Sequence, residues 1–316
     1  MKKLSIIVPC YNEEQNIKLF YKECLKTFKN YGYKIEIIFI NDGSKDNTYK
    51  EIQKIIKQAK SFSVKGINFS RNFGKDAAVY AGMENSTGDY AVVIDADLQQ
   101  KPQLIKEMLN ILEENYDIDE VCYYQEKRIE NKIIGFLKSK FYKFITKVSD
   151  IDFVNGASDF RLFRRNVIDT MLSMSERNRF SKGIFSWIGF NIYYLPYIAE
   201  ERQNGTSSFN FVKLFKYAFN GIISFSSYPI KLILNFGITI TFLSLVYFSY
   251  FITRLILNMN VFKYWILFGI LFLLFGILFI SIGAVGMYIY NIHLEVKHRP
   301  IYVKKEILDG GKKYEE

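Results

Sequence analysis

The stretch VVIDADLQQKP, residues 92–102, carries the first decision about this chain. A run of apolar, β-type residues ends on Asp95 and Asp97, two carboxylates with one alanine between them. Like charges held that close repel, and a strand end gains no stability from them. The pair reads either as solvated loop surface or as oxygen ligands for a hard divalent cation. Mg²⁺ and Mn²⁺ take such ligands and often share them with phosphates. Gln99 can add an amide oxygen. Other ligand types are poorly placed for a metal: His293 and His298 both lie late in the chain, and Cys10, Cys24 and Cys122 are scattered.

Outward from this stretch, the first hundred residues alternate regularly. Apolar runs at Leu4–Pro9, Ile35–Ile40, Val64–Phe69 and Tyr90–Asp95 predict strands, and Glu13–Lys29, Asp46–Lys60 and Lys75–Glu84 predict helices. Near-continuous apolar strands separated by helices imply an α/β fold with a mostly parallel sheet covered on both faces. Ligands bind outside the carboxyl ends of such strands. The polar clusters CYNEE, NDGSKDN, SRNFGK and DADLQ all fall there. NDGS, residues 41–44, is at least a strand-to-helix turn bent at Gly43. RNFGKDAA sets Arg71 and Lys75 beside a glycine at a helix start, which suits either a phosphate or a charged surface loop.

Beyond Pro102 the pattern predicts a helix to about Asn115 and a strand near Val121–Tyr124. Ile133–Val148 is basic and amphipathic, fit to face the core or to lie on a membrane. Residues 211–230 read as an interfacial helix pair. Leu232–Ile252 and Tyr264–Ile292 then run without a charged residue, each long enough to cross a bilayer, for which about 20 residues are needed. Basic residues flank the pair on the outside, from Lys213, Lys216 and Lys231 to Lys297, Arg299, Lys304, Lys305, Lys312 and Lys313. Only Arg254 and Lys263 lie between the runs, so both termini are expected on the cytoplasmic side of the plasma (inner) membrane. The odd, scattered cysteines fit a reducing compartment. The net charge of +10 fits anionic headgroups and phosphorylated ligands, with no nucleic acid expected.

SIIVPCYNEEQNI, INDGSKDNT, FSRNFGKDAA and VVIDADLQ, in this order and spacing, resemble family 2 glycosyltransferases of the GT-A fold. GASDFRLFRR, ERNRFSKGIFSWIGF, NGTSSF and NGIISFSSYPIKL narrow the resemblance to the polyprenyl-phosphate glycosyltransferases. The two C-terminal spans match the bacterial undecaprenyl-phosphate glucosyltransferase type. The resemblance implies a GT-A domain over 1–210, interfacial helices over 211–230, two transmembrane helices within 231–293 and a basic tail over 294–316. It further implies that Pro9, Tyr11, Glu13 and Asp42 hold the uridine of a UDP-sugar. Asp95, Asp97 and Gln99 would hold Mg²⁺ or Mn²⁺ on its diphosphate. Asp159 matches an acidic catalytic position with Arg161 beside it, and it is expected to orient Arg161 or a neighbouring cation. Arg128, Arg179, Arg202 and Ser207 would face the acceptor phosphate or the leaving diphosphate.

The acceptor implied is a polyprenyl (undecaprenyl) phosphate in the lipid bilayer, and family members of this type can form homo-oligomers through their spans. Asn41, Gln125, Gln100-Lys101 and Ser208 depart from the family pattern. The last three touch phosphate or sugar recognition, which leaves glucose, N-acetylglucosamine and galactose open as the sugar, glucose first. Two other readings compete. A processive polysaccharide synthase would carry a Gln-x-x-Arg-Trp motif, and neither Trp187 nor Trp265 follows an Arg. A non-catalytic nucleotide-binding protein would have no reason to keep both Asp97 and Asp159.

Overall fold

The computed structural model describes residues 1–125, 156–174, 176, 179, 181–197, isolated positions between 235 and 257, 265–310 and 312–314. Four strands, β1 (Lys3–Cys10), β2 (Lys34–Asn41), β3 (Ser63–Phe69) and β4 (Tyr90–Val93), alternate with helices α1 (Ile17–Phe28), α2 (Thr48–Gln58) and α3 (Lys75–Glu84). All three pairings among these strands are parallel. After α4 (Leu104–Glu114) come β5 (Glu120–Gln125), β6 (Ala157–Arg164), α5 (Arg165–Ser173), α6 (Ser181–Trp187) and β7 (Ile192–Tyr197). Helix α7 (Trp265–Val296) leads to β8 (Lys304–Asp309) and β9 (Lys312–Tyr314). The strands form one sheet in the order β7-β5-β6-β4-β1-β2-β3-β8-β9.

Side chains alternate across this sheet and each set meets its own helices. Leu4, Ile6, Val8, Ile37, Phe39 and Val92 pack with α1, α2 and α4 on one face. Ile7, Ile38, Ile40, Ala91 and Val93 pack with α3, α5 and α6 on the other. The runs looked continuous in sequence because both faces are covered. Helix α3 lies so close that a Cβ on Gly82 would come within 2.2 Å of Ile7. Strand order reverses at β1, which runs between β2 and β4, so the crevice for a ligand opens at the carboxyl ends of β1 and β4.

Within the expected basic tail at 294–316, Lys304–Asp309 and Lys312–Tyr314 join the sheet. β8 pairs antiparallel with β3, Ile307 opposite Ile67, and β9 pairs with β8. Tyr302 stacks on Phe69 at 4.8 Å between ring centres, and Ser70 N–H donates to the Val303 carbonyl at 2.9 Å. An open edge on β3 would leave a row of unpaired backbone groups, and this segment covers it. The sequence reading also did not anticipate β6, α5, α6 or β7.

The Ile133–Val148 segment and residues 211–230 lie outside the described residues. So does most of the first apolar run, of which the described positions from Asn235 to Ile256 are helical. The second run falls on α7, 32 residues long. Counted over the described residues alone, which leave out several of the α7 side chains, no helix is long and apolar enough to cross a membrane.

A buried acid sits at the amino end of the sheet. Glu36, fully buried on β2, accepts hydrogen bonds from Ser5 Oγ at 2.7 Å and Thr87 N–H at 3.0 Å, and Lys3 and Lys65 each reach it at 3.0 Å. Burial alone would raise its pKa. The Ser5 and Thr87 hydrogen bonds and the two ammoniums outweigh burial and bring it from an ordinary 4.5 to about 2. A depressed carboxylate contributes stability above its unfolded pKa and loses it as the pH falls toward the folded one. Glu36→Gln should therefore lower the unfolding free energy at pH 7 by about 3 kcal/mol. In denaturant titrations the gap to the wild type should shrink as the pH drops below about 4. A gap constant from pH 7 to 3 would contradict the ion cluster.

Candidate active site

Four connections meet at the carboxyl ends of β1 to β4, and the first two are laced together. Asn12 N–H donates to Ser44 Oγ at 3.0 Å and Lys45 N–H to Asn12 Oδ1 at 2.9 Å. Glu13 N–H donates to Thr48 Oγ1 at 2.7 Å, and Asn47 N–H to Glu14 Oε2 at 2.9 Å. Asn12 takes a positive φ of 58° to make this turn. Of the residues expected to hold uridine, Tyr11 is 41% exposed, Pro9 is half-buried at the end of β1, and Glu13 accepts a hydrogen bond from Asn16 at 2.6 Å.

Asp42, the fourth of that group, is engaged inside the protein. Its carboxylate accepts Phe73 N–H at 2.6 Å and Gly74 N–H at 3.0 Å, and Asn72 Nδ2 donates to its carbonyl at 3.2 Å. Burial pushes its pKa up while the two backbone hydrogen bonds oppose this. Gly43 makes the approach feasible: its φ is +62°, and a Cβ there would lie 2.3 Å from the Arg71 carbonyl carbon. Only glycine fits on both counts. Asn41, where the family resemblance calls for Asp, donates its amide to Asn68 Oδ1 at 2.8 Å across the sheet.

The clasp around residues 72–74 fixes the start of α3, and with it Lys75. Lys75 Nζ lies 2.7 Å from Asp95 Oδ1 and 2.9 Å from Asp159 Oδ2. The register explains how two carboxylates 64 positions apart come together: β4 pairs antiparallel with β6, Val93 opposite Arg161. Val93–Arg161 is the last pair of that ladder, and Asp95 and Asp159 each lie two residues beyond it, close enough for one ammonium to reach both. Like charges opposite each other destabilise a sheet, and the Lys75 ammonium neutralises both. Burial opposes the Lys75 charge, but Asp159 and then Asp95 outweigh it and raise its pKa. Asp97, 8% exposed, accepts Gln99 N–H at 3.1 Å on a bend where Leu98 takes φ 58°.

Among the described residues no three His, Cys, Asp or Glu side chains gather into a metal-binding group. The donor set still fits Mg²⁺ or Mn²⁺, which are commonly held by one or two carboxylates plus water and substrate phosphates. Lys75 against Asp95 shows that a cation is stable at this strand end. The thiols are not competing ligands, since all three cysteines are buried and burial pushes the Cys10 pKa well up.

Arg161 requires a correction. It was expected beside Asp159 as a cation that Asp159 orients, and it is 2% exposed, ion-paired with Glu120 of β5 and lying 4.7 Å from the Phe185 ring centre. It follows Phe163 onto the face covered by α6, where a lone guanidinium needs a partner. The cation beside Asp159 is Lys75. Arg179 is turned onto its own neighbourhood: it donates to the carbonyls of Met174 at 2.8 Å and Met171 at 3.1 Å, and stacks over Tyr80 at 4.5 Å. Arg71 lies over the Phe73 ring at 4.4 Å. Arg128, Arg202 and Ser207 lie outside the described residues, as does the side chain of Gln125. Asp76 was missed: half-buried beside α6, it accepts Ser181 N–H at 3.1 Å, and desolvation raises its pKa. Nothing in its sequence neighbourhood marks it except its place next to Lys75.

Residues 5–172 match glycosyl transferase family 2. The provisionally named glycosyltransferase CsbB of Bacillus subtilis is 41% identical over 96% of this chain and 91% of its own. The prophage bactoprenol glucosyl transferase homolog of Escherichia coli K12 is 36% identical over 96% of this chain and 99% of its own. The bactoprenol glucosyl transferase of Shigella phage SfV is 36% identical over 96% and 98%. Among solved structures, glucosyl-3-phosphoglycerate synthase from Mycobacterium tuberculosis, in complex with Mn²⁺, UDP-glucose and phosphoglyceric acid, aligns with TM-score 0.47 and 15% identity over 70% of this chain and 78% of that one. The site thus belongs to a GT-A α/β fold with a mostly parallel sheet. The chain is a member of glycosyltransferase family 2.

The clasp predicts that Gly43→Ala is severe. A left-handed non-glycine residue alone costs about 1–3 kcal/mol, and the clash with the backbone at 71–72 adds to it. Thermal unfolding should move well below the wild type. A wild-type melting temperature would contradict the close approach.

Proposed function

We propose that this enzyme transfers a hexose, glucose first, from a UDP-sugar to a polyprenyl monophosphate, inverting the anomeric centre. One observation carries the reading. The cation-bridged carboxylate pair closes the crevice of a chain whose relatives named bactoprenol glucosyl transferase are similar over nearly its whole length. The similarity takes in the apolar C-terminal third as well as the α/β domain, and it favours a lipid acceptor over a soluble one.

The apolar segments support membrane attachment. Leu267, Phe275, Ile282, Ile289 and Ile292 are exposed around α7, more apolar surface than a helix keeps in water. We infer that α7 and the run at 232–252 cross the plasma membrane, leaving the α/β domain and both termini on the cytoplasmic side. The end of α7 at Val296 is followed closely by Val303, bonded to Ser70 at the carboxyl end of β3. A bilayer around α7 would therefore lie toward the side of the sheet where the crevice opens.

In this reading the acceptor phosphate oxygen attacks the anomeric carbon from the face opposite UDP, whose bond to the sugar breaks as the new one forms. A phosphate monoester loses its second proton near pH 6, so a base has little to remove. Asp159 is then an orienting group that holds the Lys75 ammonium at the site. Lys75, at the amino end of α3, faces the place where a diphosphate gains from both its charge and the helix dipole. Asp95 and Asp97, with Gln99, would hold a Mg²⁺ or Mn²⁺ ion, which would supply positive charge toward the departing diphosphate.

The test is a panel of radiolabelled UDP-sugars with undecaprenyl phosphate and the purified protein in detergent. Label should enter the lipid extract from UDP-glucose ahead of UDP-N-acetylglucosamine and UDP-galactose. EDTA should abolish transfer, Mg²⁺ or Mn²⁺ should restore it, and Asp97→Asn should lower the rate by about 100-fold or more. Label in a water-soluble polymer would point to a processive synthase. Full activity in EDTA would remove the metal from the account.

A further inference from the structure

Strand β6 does not run evenly beside β5. Cys122 pairs with Arg161 and Tyr124 with Ala157, so Ser158, Asp159 and Phe160 lie opposite Tyr123 alone. The extra residues form a bulge, and bulges beside active sites re-aim a side chain. Here the re-aimed residue is Asp159, whose carboxylate reaches Lys75. Three contacts hold the bulge. Ser158 Oγ donates to the Tyr123 carbonyl at 2.8 Å, Phe160 N–H donates to Ser158 Oγ at 3.1 Å, and Arg161 Nε donates to the Ser158 carbonyl at 3.1 Å. The Phe160 ring stacks on Tyr123 at 5.2 Å.

Arg161 makes its contact from a fixed position. Its other guanidinium edge is bonded to Glu120, which is fully buried, and its plane lies over Phe185. The pair is a poor device for stability alone. Buried ion pairs replaced by apolar residues of similar volume are often neutral or stabilising. Glu120 Oε2 moreover has no hydrogen-bond partner among the described residues, an arrangement that costs free energy. What the pair does provide is a rigid donor aimed at the Ser158 carbonyl, one residue before Asp159.

We propose that Glu120 and Arg161 are positioning residues, whose buried ion pair clamps the Ser158 carbonyl and holds the bulge that presents Asp159 to Lys75. The inference rests on the transferase reading above. It makes Arg161 a support for Asp159 and not a cation that Asp159 orients, and it brings Glu120, which carries no signal in sequence, into the supporting frame.

The experiment uses the full chain with Glu120→Leu and Arg161→Met combined, so that no lone charge is left buried. The double variant should unfold at or above the wild-type temperature. Its kcat for lipid-linked sugar should fall by roughly 10- to 100-fold, as a misplacement of about 1 Å does, with the donor KM within threefold. Crystal structures of both proteins should show the Asp159 carboxylate withdrawn beyond 4 Å from Lys75 Nζ in the variant only. A kcat within twofold of wild type, or an unmoved Asp159, overturns the proposal. Should the double variant not fold, Arg161→Lys keeps the charge toward Glu120 but not the second donor, and the same two measurements decide. If the wild type transfers no sugar from any donor, the transferase reading falls, and the Asp159–Lys75 distance in the two structures still tests the clamp.

Discussion

The ammonium of Lys75, set between Asp95 and Asp159, is the contact on which the rest of the site depends. Antiparallel pairing of β4 with β6 ends just short of Asp95 and Asp159 and leaves the two carboxylates near each other at the mouth of the crevice, where each would repel the other. A single cation within 2.9 Å of both turns that repulsion into a bridge across two strands and a helix. The three side chains are each about one third exposed, so solvent moderates the interaction. The bridge therefore joins the two carboxylates while all three groups stay within reach of solvent.

Everything that places Lys75 lies on other segments. The Asp42 carboxylate holds the amides of Phe73 and Gly74, and Gly43 lets the turn after β2 press against residues 71–72. β3, which leads into that loop, is kept from being an edge by β8, delivered by the chain that leaves α7. The chain that leaves the apolar helix α7 and the α/β domain are thus joined through backbone pairing. On the other side of the crevice, Asp159 is aimed by a bulge whose support is buried beneath it.

The alternation β1 to β4 with its helices was legible because each strand is apolar on both faces, and α1 and α2 each show one apolar stripe. The strand-end placement of Asp95, Asp97 and Lys75 followed from the same pattern. β6 was hidden because Asp159, Arg161 and Arg164 make ASDFRLFR look like a surface segment, and only a buried Glu120 forty-one residues earlier accounts for Arg161. β8 was hidden for a related reason: KKEILD is charged, as suits a strand near a sheet edge, and in sequence it continues a basic tail. Asp42 was expected at the uridine through the family resemblance alone. Its hydrogen bonds from the backbone amides of Phe73 and Gly74 were not legible, because sequence does not show which backbone groups a side chain will meet.

The direct test of the central contact is a double-mutant cycle on Lys75→Met and Asp159→Asn, read as unfolding free energy of purified, metal-free protein. Lys75→Met alone leaves Asp95 and Asp159 unneutralised and should destabilise. Adding Asp159→Asn removes one of the facing charges, so the double variant should be more stable than the sum of the single effects by about 1 kcal/mol. Single effects that add to within about 0.3 kcal/mol would mean that the ammonium does not couple the two strands, and would contradict the account.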